Sequence, residues 1–147
     1  MEIASERPVC TVARTDAEIL ACLPTLIELR PHLMQSTFLE QIRRQERHGF
    51  TLMVMRLAGE VIGVVGFRIS ECLGCGVYMY IDDFVIASAS RRKGMGELFF
   101  RDLVAYARSN DCTHIMLDSA MHREPSHALY RKLGMSETCR HFELSLT

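Results

Sequence analysis

The chain has 147 residues, 48% hydrophobic and 24% charged, a size and balance that suit one globular domain with its own core and exclude a disordered chain. A formal charge of −1 gives no electrostatic reason to expect nucleic acid or an anionic membrane as a partner. No apolar stretch reaches transmembrane length, and Met1 to Cys10 holds acidic residues without the apolar run of a signal peptide, so a cytoplasmic protein is expected.

Pro8 to Ala13 reads as a first strand. Asp16 to Arg30 carries Ile19, Leu20, Leu23, Leu26 and Ile27 at helical spacing, and Pro24 is expected to kink or divide that helix. After a break at Arg30-Pro31-His32, a second helix is expected over Thr37 to His48. Thr37 and Glu40 have capping-box spacing there, and Gly49 supplies the stop. Phe50 to Leu57 and Val61 to Ile69 are apolar, β-branched runs joined by Ala58-Gly59-Glu60, a hairpin. A loop over Glu71 to Gly76 leads to a long strand, Val77 to Ile86. Met95, Leu98, Phe99, Leu103, Tyr106 and Ala107 mark one face of a helix from Gly94 to Asn110. Thr113 to Leu117 reads as a short strand, Glu124 to Leu133 as a helix with Pro125 in its first turn and Gly134 after its end, and Arg140 to Leu146 as a closing strand. This order predicts a mixed α/β fold with helices packed on the faces of one sheet.

Six cysteines do not call for disulfides in a chain of this size without an export signal. Cys72 and Cys75 form a single C-x-x-C in a glycine-rich connection. No second pair or suitably spaced histidine completes a zinc site, and no helix follows to lower a thiol pKa as in a redox motif, so neither metal nor redox function is expected and the segment reads as a loop between strands.

The organising stretch is Tyr80 to Gly96, YIDDFVIASASRRKGMG, in which an apolar strand breaks into a polar turn and then a helix. Arg91, Gly94 and Gly96 stand in the order R-x-x-G-x-G at that boundary. A helix N-terminus exposes backbone N–H groups and partial positive charge, and glycines let the backbone close on an anion. With the charges of Arg91, Arg92 and Lys93 beside it, and with Gly94, Met95 and Gly96 opening the helix, the turn reads as a pyrophosphate cradle. The G-x-x-x-x-G-K-[ST] loop of nucleotide phosphotransferases is missing.

The element order, with R-x-x-G-x-G after the fourth strand, resembles the GCN5-related N-acetyltransferase (GNAT) family. A second match lies downstream: Ser126-His127-Ala128-Leu129-Tyr130-Arg131-Lys132-Leu133-Gly134-Met135 is similar to the family's A-x-x-x-Y-x-x-x-G-F segment, with Ser126 in the small-residue place and Met135 replacing Phe. The resemblance covers nearly the whole chain. It implies acetyl-CoA as co-substrate, a mostly antiparallel mixed sheet with a splay between the fourth and fifth strands, and transfer by direct attack in a ternary complex. It also implies that the backbone of Phe84, Val85 and Ile86 bonds the pantetheine arm as a neighbouring strand would, and that Ser126 and Tyr130 join the cofactor site. Where many relatives carry Asn seven residues before the tyrosine, this chain has Arg123, which can meet a phosphate or the acceptor. The 13 residues after Gly134 (147 − 134) leave room for one closing strand, so one wall of the acceptor cleft is expected to be open or supplied by a second subunit of a homodimer.

Acetyl transfer to an amine needs a deprotonated nucleophile, a donor for the developing oxyanion and a proton for the leaving thiolate. Tyr130, a phenol protonated at neutral pH, suits the last task. For the base, Asp82 and Asp83 are adjacent carboxylates in an apolar strand. Alternation places Tyr80, Asp82 and Phe84 on one face and Ile81, Asp83 and Val85 on the other, unless a bulge intervenes. Either aspartate, or a chain of water, can serve. The acceptor is expected between the first helices and the end of the fourth strand, near Glu28, Arg30 and His32: a primary amine of a small molecule or a peptide. A non-catalytic CoA-binding or regulatory module is the alternative reading.

Overall fold

A computed structural model describes residues 6–147. The first five residues, part of the stretch read above as lacking a leader, lie outside it. The elements are β1 (Val9–Val12), α1 (Asp16–Ala21), α2 (Leu23–Leu29), α3 (Gln35–Glu46), β2 (Phe50–Leu57), β3 (Glu60–Cys72), β4 (Gly76–Ile86), α4 (Met95–Ser109), β5 (His114–Leu117) and α5 (Glu124–Lys132). The five strands form one sheet in chain order, with all neighbours antiparallel except the parallel pair β4–β5. Among the described residues no helix is long and apolar enough to cross a membrane.

The sheet is covered on both faces, which is why β2 and β3 read as continuous apolar runs rather than as alternating ones. Phe50, Leu52, Val54 and Val64 pack with Ile19, Leu26, Phe38 and Ile42 under α1, α2 and α3. Met53, Met55, Val65 and Phe67 pack with Phe99, Phe100 and Leu103 under α4. Pro24 divides the first helical stretch as expected: Cys22, fully buried, ends α1 and precedes α2, whose first turn takes the proline where no backbone bond is lost.

Three local expectations are corrected. The third helix begins at Gln35, with Met34 as N-cap, so Thr37 lies inside the first turn and its hydroxyl donates to the Met34 carbonyl. The capping box is at Thr15 and Glu18 instead, where each side chain accepts from the other end of the turn. β3 runs on to Cys72, so the expected loop over Glu71 to Gly76 is a tight hairpin.

Arg140 to Leu146 is the third correction: no strand forms there. Its alternate apolar residues Phe142, Leu144 and Leu146 are 89%, 83% and 92% exposed. A period of two makes a strand only where one face finds a layer to cover and an edge to pair with, and in this chain the segment meets neither.

The β3–β4 pairing contains the irregularity that shapes the site. Gly66 faces Asp83 and Phe67 faces Ile81, so Asp82 is an extra residue on β4, a bulge. It overturns strict alternation. Phe84 joins Ile81 on the α4 side, against Phe99 and Phe100, instead of sharing a face with Tyr80 and Asp82. Gly66 is required opposite the bulge: a Cβ there would lie 2.5 Å from the Phe50 ring and 3.0 Å from Asp83 Oδ2.

Candidate active site

β4 pairs with β5 only from Tyr78–His114 to Ile81–Leu117, yet β4 continues to Ile86. β5 ends at Leu117, opposite Ile81, so the β4 segment holding Phe84, Val85 and Ile86 has no neighbour from β5. That unpaired edge leads directly into the turn before α4.

That turn is built from short-range constraints. The Ala87 N–H donates to Ile62 O at 2.8 Å, the last tie to β3, and a single 3-10 turn follows over Ser88–Ser90. Arg92 (φ 62°) and Gly94 (φ 75°) adopt left-handed conformations that turn the chain into α4. Among the described residues, none of the N–H groups from Arg92 to Glu97 donates to a backbone carbonyl. A run of free N–H donors at the positive end of a fifteen-residue helix has the chemistry to hold an anion. Gly96 lies close under α5, where a Cβ would come within 3.2 Å of the Leu129 side chain. Met95 packs into the α4 core.

The side chains of the turn do not all face outward. Arg91 donates from Nε to Ile86 O at 2.9 Å and from Nη2 to Glu28 Oε1 at 3.5 Å. Lys93 Nζ reaches Ala89 O at 3.3 Å, while Arg92 is exposed. Glu28 also accepts from the Ser88 N–H at 3.0 Å. Expected at the acceptor cleft, Glu28 is thus engaged as a brace between α2 and the turn.

The bulge separates the two aspartates. Asp82 is held bidentately by Arg68 (2.8 and 2.9 Å), whose guanidinium also lies 5.2 Å from the centre of the Tyr80 ring. The Tyr80 hydroxyl donates to Asp118, and burial together with that carboxylate pushes its pKa up to about 12. Asp83 turns to the α2–α3 side, accepting from Arg30 Nε at 3.0 Å. Burial raises the Asp83 pKa, and the Arg30 charge works against that rise. The chain of Arg68, Tyr80 and Asp118 was not read from the sequence, although Asp118 directly follows the fifth strand and offered a signal.

Arg30, His32 and Asp83 meet at a cavity of about 250 Å³ between α2, α3 and the sheet, whose apolar wall includes Leu26, Phe38 and Phe50. Tyr130 lies on α5, half-buried; burial raises its pKa, and Arg123 at the start of the helix opposes the rise. Ser126 is one turn earlier on the same helix. Lys132 ties α5 to the start of α4 through Glu97 at 3.1 Å. The structure therefore gathers Arg30, His32 and Asp83 at one cleft and Glu28 with Arg91 at the turn, while Asp82 is paired away from both.

Residues 8–135 match the Acetyltransferase (GNAT) family. An aminoglycoside N(6')-acetyltransferase type 1 of Acinetobacter haemolyticus is 30% identical over 59 residues, a match spanning 40% of this chain and 41% of that protein. An acetyltransferase of Trypanosoma brucei superposes with TM-score 0.77 at 25% identity, covering 95% of this chain and 100% of its own. The aminoglycoside N-acetyltransferase AAC(6')-Iy, in complex with CoA, shares the fold at TM-score 0.83 and 14% identity, covering 99% of this chain and 98% of that one.

Proposed function

Since the chain belongs to the GNAT family of acetyltransferases, we propose that it moves the acetyl group of acetyl-CoA to the primary amine of a small molecule, by direct attack within a ternary complex. The observation that carries this reading is the course of β4. Past its last rung with β5 at Ile81–Leu117, it stays paired with β3 on one side but leaves its other edge open through Phe84, Val85 and Ile86, and leads into a turn of free N–H groups closed by left-handed Gly94.

The fit to a CoA-type ligand rests on that geometry. The N–H groups from Arg92 to Gly96 and the α4 dipole suit a pyrophosphate, with Arg92 and Lys93 adding charge. Arg91 acts from behind, because its guanidinium already caps Ile86 and pairs with Glu28. The free edge of β4 from Phe84 to Ile86 suits an extended amide-bearing arm. When bound, acetyl-CoA supplies a thioester with a good leaving group. Ser126 and Tyr130, on α5 beside Gly96, complete the cofactor wall.

The chain's own groups then divide the proton work. Asp83 is the base: its carboxylate faces the cleft, and partial burial moves its pKa toward the range in which it takes a proton from an ammonium. Asp82, clamped by Arg68, orients the bulge instead. Tyr130 keeps its proton well above neutral pH and donates it to the departing sulfur. Arg30 and His32 line the entry for the acceptor, and Glu28 holds the turn. The bounded cleft favours small amines over polypeptide ones, and the partial match to an aminoglycoside acetyltransferase puts aminoglycosides in the acceptor panel.

A second copy of the chain is the partner this reading adds. The exposed strand pattern at Phe142, Leu144 and Leu146 and the outer edge of β5 complement each other.

Calorimetric titration with acetyl-CoA, and with CoA as control, followed by thiol release across a panel of small and peptide amines, tests the proposal. Saturable binding and amine-dependent thiol release are expected. Folded protein that does not bind at millimolar ligand would overturn it; binding without release by any amine would favour a CoA-binding module.

A further inference from the structure

The tip of the β3–β4 hairpin carries chemistry that acetyl transfer does not use. Cys72 ends β3 and pairs in register with Gly76, which opens β4 at φ 84°. The turn between them, Leu73-Gly74-Cys75, is tight enough to bring the two sulfurs to 3.4 Å. Cys72 is exposed, Cys75 is half-buried, and Leu73 stands fully in solvent. The back of the turn is fastened to the start of β5: the Thr113 hydroxyl donates to Cys75 O at 2.7 Å, and the Thr113 N–H to Val77 O at 2.8 Å. The turn that carries the two sulfurs is thus itself fastened to the sheet.

The two thiols are not equivalent. The N–H of Cys75, then the Cys75 thiol and the N–H groups of Gly74 and Gly76, favour a thiolate at Cys72 and lower its pKa. Sharing its proton with Cys72 raises the pKa of Cys75. Such an unequal pair provides one ready nucleophile and one thiol to resolve the product. Among the described residues no third histidine, cysteine or carboxylate joins the pair to complete a metal site.

We propose that Cys72 and Cys75 form a thiol–disulfide exchange site that takes a small disulfide of the glutathione type as oxidant and closes to an intramolecular disulfide. The Cys72 thiolate attacks one sulfur of the oxidant, forming a mixed disulfide and releasing one thiolate, which takes up the proton Cys72 had lost. The Cys75 thiol gives up its proton and attacks the Cys72 sulfur, releasing the second small thiol. The protein dithiol is oxidised by two electrons, and the small disulfide is reduced to two thiols. Closure staples the hairpin beside the first β4–β5 rung, at the end of β4 remote from its unpaired Phe84–Ile86 edge.

The test is exposure of the reduced full chain to glutathione disulfide, quenching with an alkylating agent and peptide mass spectrometry. Cys139, the other exposed cysteine, is the internal control. The Cys72–Cys75 disulfide is expected to form at least about tenfold faster than the glutathione adduct at Cys139. Cys75→Ser should accumulate the adduct on Cys72, and Cys72→Ser should abolish the fast reaction. Both substitutions are at the hairpin tip, and far-ultraviolet circular dichroism checks that each variant folds. Modification of Cys72 at the Cys139 rate, or an adduct on Cys75 in Cys72→Ser forming as fast as that on Cys72 in Cys75→Ser, would overturn the proposal.

Discussion

Arg30 and Asp83 meet at the cleft between α2, α3 and the sheet, with Arg30 Nε donating to Asp83 Oδ1 at 3.0 Å while Nη2 reaches the Asp82 carbonyl at 3.2 Å. One guanidinium from the end of α2 thereby reads both the side chain and the backbone of the β4 bulge. Burial raises the Asp83 pKa and Arg30 lowers it, so the ionised fraction of Asp83 depends on this contact. A base whose pKa is raised keeps its proton to higher pH, so the acid limb of kcat/KM is expected above the ordinary carboxylate range. Arg30→Ala removes the opposing charge and should move that limb to still higher pH. A limb that stays in place would detach Asp83 from the proton transfer.

Asp83→Asn should lower kcat by about a hundredfold or more, the usual range for loss of a general base, with acetyl-CoA affinity retained. Asp82→Asn should act mainly through the Arg68 clamp and leave the pH profile where it was. Equal kinetic losses with the same change of pH profile in both variants would refute the division of labour drawn here.

Tyr130→Phe keeps the half-buried ring and removes only the hydroxyl. Turnover is expected to fall about a hundredfold while calorimetry returns nearly the same acetyl-CoA affinity. Wild-type turnover would remove Tyr130 from the chemistry.

Gly94 has open space where a Cβ would go, so its need is conformational: φ 75° is a left-handed backbone that side chains resist by about 1–2 kcal/mol. Gly94→Val should weaken acetyl-CoA binding more than Gly94→Asn, because asparagine tolerates that region. Titration of both variants decides. Equal, unimpaired affinities would mean the turn does not form the cradle.

Gly66→Ala sets a methyl group against the Phe50 ring, from which its Cβ would lie 2.5 Å, and against Asp83. A loss of about 1–3 kcal/mol in urea unfolding is expected from overpacking. Adding Phe50→Leu should recover part of it, since the two positions share one clash. No recovery would place the strain elsewhere.

Light scattering is expected to return twice the chain mass, and replacing Phe142 and Leu144 with aspartate should return one chain mass. A monomeric parent protein would refute pairing through the C-terminal segment.

Much of the site was legible in the chain itself, because its signals are local. Apolar periodicity and punctuation at Pro24, Gly49 and Gly59 delimit most elements within a residue or two. The turn at Arg91 to Gly96 is written as consecutive residues, since a left-handed glycine and a helix start are properties of neighbouring peptides. Tyr130 is legible for the same reason, as part of one helix motif. What alternation could not supply was the bulge at Asp82. It arises from the mismatch between β3 and β4, where Gly66 yields room to Phe50 and Asp83, and it moves Phe84 to the other face.

Roles that depend on a partner distant in sequence were likewise decided in three dimensions. Glu28 and Arg30 are two residues apart, yet Glu28, on α2, grips Ser88 and Arg91 at the turn while Arg30, at the C-cap, pairs with Asp83 at the cleft. The helix ends between them, and the non-helical backbone of Arg30 (φ −126°) turns its side chain to a different site. Phe142 to Leu146 carries a strand's pattern without becoming a strand, because a hydrogen-bonded edge must come from another segment. The sequence by itself determined the elements and the left-handed turn into α4, whose physics lies within a few neighbouring residues. Only the tertiary structure decided which carboxylate faces the cleft under α2 and α3, because that choice depends on contacts between residues tens of positions apart.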